Sequence, residues 1–317
     1  SVYCLDALTG DAHWQMPTQG PVLSSPALAN GYVYIGSSDG FLYCFNAQSG
    51  SQLWKSNVGA PITTSPAVTE GFVYITLDEY RVYCFDARTG AEAWQTLTFG
   101  MRQSTPALAD GYLFTGSYHL PVYSLNAETR HYNWGFGADI GWDLKPPEDY
   151  LSSSPALSES SVFVGSKDKN IYCINSQTGS KLWEFTADDR ITSSPAVSSG
   201  SVWVGSDDKH IYCLDALTGH ERWKVRTGGS VHSSPAVTDG YVYVGSSDGE
   251  LYCIDAEAGT ILWTFASGTA IKSSPAVSGG KIYFGNEAGS LYCLTAAAED
   301  NGTWPMFGFN AARIGSS

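Results

Sequence analysis

A chain of 317 residues with a net charge of −14 and a pI near 4.7 offers no basic face for nucleic acid or anionic membranes. Its longest apolar runs fall well short of the ~18 residues of a membrane span, so we expect no membrane insertion in this segment. Apolar residues make up 43% of the sequence and include ten Trp, enough to fill large cores between sheets.

The chain opens on residues 1–16, which read as only the third and fourth strands of a unit. Complete units follow, and residues 231–270 show their form. Four stretches rich in β-branched and aromatic residues are separated by turns at Asp239-Gly240, Asp248-Gly249 and Ala258-Gly259. Because Asp-Gly favours two-residue hairpins, consecutive strands should pair antiparallel. Such a four-stranded unit cannot bury both faces alone and needs neighbours of its own kind.

A tryptophan of the fourth strand and a proline of the first strand recur along the chain, mostly at steps of 40 residues. They are Trp14, Trp54, Trp94, Trp134, Trp183, Trp223, Trp263 and Trp304, with Pro26, Pro66, Pro106, Pro155, Pro195, Pro235 and Pro275. This period with four strands per repeat is typical of a β-propeller. We predict one all-β domain over residues 1–317, a propeller of four-stranded antiparallel blades. The tryptophans favour eight blades with an incomplete or composite closing blade, and seven blades is the alternative.

Two sets of repeated polar residues have structural interpretations. Each of the seven cysteines follows a Tyr in a third strand, and equivalent positions in neighbouring blades should exceed the ~7 Å Cα limit for a disulfide. We expect them to be buried thiols, largely inaccessible to reagents. The aspartates of the repeated turns are better interpreted as turn formers than as calcium ligands; they are Asp39, Asp168, Asp208 and Asp248.

The segment Asp6-Ala7-Leu8-Thr9-Gly10, followed by Trp14, resembles the tryptophan-docking motif of the pyrroloquinoline quinone-like (PQQ-like) propeller repeats. Residues 215–223 repeat the motif, and Trp304-Pro305-Met306-Phe307-Gly308 resembles a further segment of that family. The resemblance covers nearly the entire chain. It implies a bacterial or archaeal interaction platform outside the cytoplasm, periplasmic or at the cell surface. Seven thiols without disulfides would also suit a cytoplasmic location.

The same resemblance raises an enzymatic alternative, a small PQQ-dependent dehydrogenase. Such enzymes typically hold the quinone beside two adjacent cysteines and a bound calcium, and this chain has no Cys-Cys pair. Other catalytic signatures, such as a GxSxG elbow or an HExxH pair, do not occur either. We therefore expect neither PQQ nor calcium as a cofactor. The favoured interpretation is a monomeric, non-catalytic scaffold with a protein or glycan partner, or the sensor domain of a larger protein.

Four successive loops depart from the repeat between residues 78 and 150. In a propeller, the loops from strand four to the next strand one and from strand two to strand three emerge on the same face. We therefore predict one binding patch formed by Tyr80, Arg102, Gln103, Tyr118, His119, Trp142 and Tyr150. Drift of unconstrained loops would produce the same departures. A second candidate, lining the pore, is the set Arg190, His232 and Lys272.

Overall fold

The computed structural model describes residues 1–69, 71–78, 80–98, 104–117, 122–136 and 153–295. It divides into two compact units, the first comprising residues 1–168 and 172–183, the second residues 169–171 and 184–317. Within the described ranges every regular element is a β-strand, so the predicted all-β class is confirmed. No described helix is long and apolar enough to cross a membrane.

The first unit opens on a two-stranded sheet of β1 (Val2–Leu5) and β2 (Ala12–Met16). Three four-stranded antiparallel sheets follow, each with its strands in sequence order. They are β3 (Ala27–Ala29), β4 (Tyr32–Gly36), β5 (Phe41–Asn46) and β6 (Gln52–Asn57); β7 (Ala67–Val68), β8 (Phe72–Leu77), β9 (Arg81–Asp86) and β10 (Glu92–Leu97); β11 (Ala107–Ala109), β12 (Tyr112–Thr115), β13 (Val122–Asn126) and β14 (Tyr132–Phe136).

The next four-stranded sheet contains the division between the two units: β15 (Ala156–Ser158), β16 (Ser161–Gly165), β17 (Asn170–Asn175) and β18 (Lys181–Thr186). The second unit continues with two more four-stranded sheets and a three-stranded one. They are β19 (Ala196–Ser198), β20 (Ser201–Gly205), β21 (His210–Asp215) and β22 (Glu221–Arg226); β23 (Ala236–Thr238), β24 (Tyr241–Gly245), β25 (Glu250–Asp255) and β26 (Ile261–Ala266); β27 (Ala276–Ser278), β28 (Lys281–Gly285) and β29 (Leu291–Thr295).

The prediction of eight blades was wrong, and the described residues form seven. Six sheets have four strands, and the seventh, β27–β29, has three. The sheet β1–β2 corresponds to a third and a fourth strand alone and makes no blade by itself. Counting tryptophans overestimated the number because Trp14 lies in this two-stranded sheet, while Trp304 lies outside the described residues. The alternative of seven blades agrees with the seven first-strand prolines.

The docking motif joins neighbouring sheets within a unit through a turn and a tryptophan, as Trp54 and the turn at Gly90 illustrate. In the turn after β9, the Asp86 carboxylate accepts the backbone N–H groups of Arg88 at 3.1 Å and Thr89 at 2.7 Å. The Thr89 hydroxyl also donates to the Asp86 carboxylate. This bond, together with the two backbone bonds, lowers the pKa of Asp86. Gly90 then takes a φ of 72°, and the indole of Trp54 packs against it.

The tryptophans themselves bind the neighbouring blade by a hydrogen bond as well as by packing. Trp54 Nε1 donates to the carbonyl of Ala87 at 3.2 Å, and Trp14 Nε1 donates to Ala47 at 3.0 Å. Trp134 and Trp223 make the same bond, at 2.9 and 3.1 Å. The predicted structural role of the motif is therefore confirmed at these positions.

Glycines at the ends of second strands allow adjacent blades to approach closely. A Cβ on Gly36 would lie 2.3 Å from Ile62 Cγ2, and one on Gly245 would lie 2.3 Å from Ile271 Cγ2. Neither glycine has a positive φ, so the requirement for glycine here comes from contact with the next blade.

None of the seven cysteines forms a disulfide, and five of them are buried. Burial raises the pKa of the Cys44 thiol to about 12 and that of Cys213 to about 11. The expectation of general inaccessibility was wrong for Cys4 and Cys293, which are half-buried. These two lie in the two-stranded and three-stranded sheets, where the described residues supply fewer covering strands.

Candidate functional site

Of the residues predicted to bind a partner, only Tyr80 lies within the described part of the chain. Six lie outside it, so their grouping into one patch stays a prediction: Arg102, Gln103, Tyr118, His119, Trp142 and Tyr150. The structural account of this loop face therefore rests on Tyr80 and on the strands that hold it.

Tyr80 occupies a backbone conformation that favours glycine. It lies in the turn between β8 and β9 with a φ of 61°, and its side chain is 38% exposed. The same turn position holds Gly40, Gly249 and Gly289 in three other blades, with φ values of 85°, 91° and 79°. In two more blades lysines take this conformation, Lys169 and Lys209, with φ values of 79° and 72°. A bulky residue in the left-handed region costs about 1 kcal/mol or more, and such costs are often found where a side chain serves a function.

Leu97 is a second exposed apolar residue, at the end of the adjacent strand. Leu97 pairs with Arg81 across β9 and β10, and the N–H of the following residue, Thr98, donates to the carbonyl of Tyr80 at 2.7 Å. The Leu97 side chain is 68% exposed. We call the two exposed side chains the Tyr80–Leu97 patch. Sequence reasoning missed Leu97, although a signal was present: corresponding strand ends carry polar or small residues, namely Asn57, Arg226 and Ala266.

A neighbouring charge is held on the sheet beside this patch. The guanidinium of Arg81 donates to the side-chain carbonyl of Gln95 across the two strands. Asp78 is exposed in the same turn as Tyr80. The patch therefore combines an aromatic and an aliphatic side chain with polar groups at its margin, the composition of an interface core with its rim.

In other blades, an aspartate ties this turn to the loop that enters the blade. Asp39 accepts the backbone N–H of Gln19 at 2.8 Å and of Phe41 at 3.0 Å, and the Tyr43 hydroxyl donates to it at 2.9 Å. Burial alone would raise the pKa of Asp39. The hydrogen bonds from Tyr43 and Phe41 outweigh this effect, so the pKa of Asp39 is lowered. Asp208 and Asp248 make the same three kinds of bond. The predicted role of these aspartates as turn formers is confirmed.

Three blades lack this aspartate. The equivalent positions hold Glu79, His119 and Ala288. The first two belong to the blades whose loops supplied the predicted binding residues, and the third belongs to the seventh blade. Absence of the aspartate is therefore not confined to the blades with the predicted binding loops.

Two members of the second predicted set, His232 and Lys272 in the second unit, lie beside carboxylates, and the third, Arg190, is exposed. His232 Nδ1 lies 3.4 Å from the Asp207 carboxylate and 3.1 Å from the Thr192 hydroxyl. Lys272 Nζ lies 2.6 Å from the Glu287 carboxylate. His232 and Lys272 thus already have polar partners, which makes the set a weaker candidate than the Tyr80–Leu97 patch. No group of three or more His, Cys, Asp or Glu side chains in the described ranges is placed to hold a metal ion.

Comparison with known proteins identifies the repeat. A family model described as outer membrane protein assembly factor BamB matches residues 1–129, 121–233 and 207–304, which confirms the PQQ-like repeat resemblance. The fold is similar to BamB from Moraxella catarrhalis, with a TM-score of 0.76 and 17% identity over 90% of this chain and 88% of that one. No curated relative matches the sequence.

Two further solved structures share the fold. The computationally designed Ika8 protein aligns with a TM-score of 0.76 and 18% identity, over 88% of this chain and 85% of that one. The quinohemoprotein alcohol dehydrogenase ADHIIG from Pseudomonas putida HK5 aligns with a TM-score of 0.72 and 17% identity, over 90% of this chain but 66% of that one. These similarities identify a β-propeller, and at such identities they carry no function with them.

Proposed function

The chain belongs to the family described as outer membrane protein assembly factor BamB, and we propose that it is a non-catalytic binding propeller. It presents the loop face that carries the Tyr80–Leu97 patch to a protein partner. The supporting observation is Tyr80 itself, an exposed aromatic side chain in a left-handed turn where other blades have glycine or lysine. Tyr is among the residue types that dominate interface energetics.

A protein partner fits the patch better than a glycan. Glycan platforms rely on the flat faces of aromatic rings, whereas Leu97 adds an aliphatic side chain that is 68% exposed. Two exposed apolar residues on neighbouring strands, with Asp78 and Arg81 close to Tyr80 in the chain, suit the core and rim of a protein interface. The other loop residues predicted above would extend this interface, and a glycan partner is the outcome that the experiment below separates.

The proposed setting is outside the cytoplasm. The matching family is described as outer membrane protein assembly factor BamB. A BamB structure shares the fold over 90% of this chain. We also propose that the protein is a monomer with a single propeller domain.

Quinone chemistry does not fit the residues present. Each of the seven cysteines lies in a different sheet, so none adjoins another as the vicinal pair of such dehydrogenases would require. Their thiols are largely buried, and burial raises the pKa of several, Cys84 and Cys253 to about 12. We propose that added PQQ and calcium support no dye-linked oxidation of alcohols or sugars, and turnover in that assay would favour the dehydrogenase alternative.

Substitution of the patch tests the proposal. The double variant Tyr80→Ser with Leu97→Asn introduces at position 97 the residue that another blade carries at Asn57. Immobilised wild-type and variant proteins are exposed to the envelope fraction of the producing cells, and retained proteins are quantified by mass spectrometry. We expect the retained amount of one protein to fall about tenfold or more, the effect of removing an interface hot spot. Its affinity is then measured with the purified partner.

A matched control distinguishes binding through this patch from non-specific adsorption. Leu217 is 86% exposed in a turn of the second unit, and Leu217→Ser should leave retention unchanged. The free energy of unfolding of the double variant should stay within about 0.5 kcal/mol of the wild type, because both side chains are exposed. Equal retention by the double variant and the wild type would move the site elsewhere. If the double variant retained the same proteins as the wild type but lost binding to a glycan array, the partner would be a glycan and not a protein.

A further inference from the structure

Arg81 is a half-buried cation whose charge is not balanced within the described part of the chain. Its guanidinium donates to the side-chain carbonyl of Gln95, which is a neutral acceptor. Among the described residues, no carboxylate lies within ion-pair distance of Arg81. Because a guanidinium has five N–H donors, the bond to Gln95 orients the group and leaves most of its donors available.

The amide that orients Arg81 is itself held by a carboxylate. The side-chain amide of Gln95 donates to Glu92 at 3.2 Å. Among the described residues, Glu92 therefore acts on Arg81 through the Gln95 amide and not by a direct ion pair. The guanidinium is thus oriented before a partner arrives, which reduces the entropy lost when the partner binds.

Arg81 is next to both residues of the Tyr80–Leu97 patch. It follows Tyr80 in the chain and lies directly opposite Leu97 across β9 and β10. Directly opposite residues of an antiparallel pair have side chains on the same face of the sheet, with Cβ atoms about 4.5–5.5 Å apart. The Leu97 side chain is 68% exposed. The cation therefore lies beside an exposed aliphatic side chain, on one face of the sheet.

Two other blades provide a partner from within for the polar side chain at this position. Asn170 and His210 begin the third strands β17 and β21, as Arg81 begins β9. The Thr186 hydroxyl donates to Asn170 at 2.6 Å, and His210 Nδ1 lies 3.2 Å from the Asp208 carboxylate. Within the described ranges, an arginine without a carboxylate at this position distinguishes the blade that carries the Tyr80–Leu97 patch.

We propose that the partner presents an acidic side chain with apolar residues on both sides of it, an inference that rests on the binding function proposed above. The carboxylate accepts N–H groups of Arg81, and the apolar side chains contact Leu97 and Tyr80. Arginine binds carboxylates through two parallel hydrogen bonds, and Arg and Tyr are frequent hot-spot residues. Since a chain terminus has neighbours on one side only, the carboxylate belongs to an Asp or Glu within the partner's chain.

Selection from a phage-displayed library of random peptides tests this chemistry. The library is first depleted on the double variant Tyr80→Ser with Leu97→Asn, which removes peptides that bind elsewhere, and is then selected on the wild-type protein. We expect the enriched peptides to share an internal Asp or Glu with apolar neighbours. Their affinities are measured by fluorescence anisotropy with amidated synthetic peptides. Replacing the acidic residue by its amide should weaken binding to the wild type about tenfold.

Variants of the protein assign this effect to Arg81. Arg81→Met keeps a long side chain and removes its charge, so it should bind the acidic peptide about tenfold more weakly than the wild type does. It should also bind the acidic and amide peptides alike, because both changes remove the same pair. Arg226→Met, at an exposed arginine that ends β22, should leave both affinities unchanged. The melting temperature of Arg81→Met should stay within about 1 °C of the wild type.

Failure of this inference and failure of the proposed function give different results. Peptides that require Tyr80 and Leu97, but lack an acidic residue and bind Arg81→Met as tightly as the wild type, would overturn the inference and keep the patch as a binding site. If no peptide distinguished the wild type from the double variant, both would fall.

Two further results would contradict a carboxylate supplied from within a partner's chain. A melting temperature several degrees lower in Arg81→Met would show that residues of this chain already pair with Arg81. A peptide that ends just before its acidic position, with a free terminal carboxylate, should bind at least about tenfold more weakly than the full peptide. Equal binding of this shortened peptide would assign the carboxylate to a chain end.

Discussion

Replacing Trp54 by Ala should lower the free energy of unfolding by about 3–5 kcal/mol, the range for removing a buried tryptophan. The indole is 9% exposed and packs in a cluster with Val73 and Phe85 of the next blade. Its Nε1 also donates to the Ala87 carbonyl, which the substitution would leave without this donor. Denaturant unfolding measures the loss, and a loss under about 1 kcal/mol would contradict the docking role.

A pair of glycine variants isolates the contact between this ring and its turn. Gly90 and Gly59 have similar φ values, 72° and 79°. A Cβ on Gly90 would lie 2.6 Å from the Trp54 ring, whereas a Cβ on Gly59 would have nothing within 4 Å. Gly59→Ala should therefore cost about 1 kcal/mol from backbone strain alone, and Gly90→Ala should cost several kcal/mol. Equal losses in the two variants would show that docking of the ring adds nothing at Gly90.

Adding a methyl group at Gly245 should destabilise the protein by about 2–3 kcal/mol, because the blades are in contact there. The new Cβ would lie 2.3 Å from Ile271 Cγ2 and 2.8 Å from the backbone oxygen of Ile271. A side-chain rotation could relieve the first clash but not the second. The relief therefore requires the next blade to move.

Gly285 provides the matched control, since it ends the second strand of the seventh blade as Gly245 does in the sixth. A Cβ on Gly285 would meet Ser290 O at 3.7 Å, an ordinary van der Waals distance. Gly285→Ala should change the free energy of unfolding by less than about 0.5 kcal/mol. Similar shifts of the melting temperature in both variants would contradict the close approach of blades at Gly245.

Local strand and turn structure followed from sequence because each unit carries its own signals. The Asp239-Gly240 turn predicted a hairpin, and the structure gives both residues a positive φ, 51° and 82°, between β23 and β24. The β-branched residues Val242 and Val244 of the second strand are fully buried, and Tyr243 between them is 2% exposed. These features need only neighbouring residues and are therefore visible in a single repeat.

Blade number and thiol exposure depend on strands from elsewhere in the chain. Trp14 looks like every other docking tryptophan, yet its sheet has two strands, so counting tryptophans does not count blades. Cys4 is likewise indistinguishable in sequence from Cys213, and only the number of neighbouring strands separates a half-buried thiol from a buried one. A repeat motif predicts its own strands and turns, but it does not predict how many strands lie beside them.

The candidate site was predictable in part. Tyr80 was found because the whole turn departs from the repeat, whereas Leu97 is a single change in a strand that is otherwise regular. Its exposure depends on where β10 ends relative to β9, which the sequence does not specify. Whether Arg102, Trp142 and the other predicted loop residues join the patch stays a prediction.

The most direct test of partner binding through this face is Tyr80→Gly, measured for stability and affinity together. Relief of the left-handed conformation should raise the free energy of unfolding by about 1 kcal/mol, while affinity for the partner falls about tenfold or more. Lys209 has a φ of 72° at the same turn position of another blade, and Lys209→Gly should give the stability gain without loss of affinity. A Tyr80→Gly protein that gains stability and binds its partner as tightly as the wild type would contradict the account.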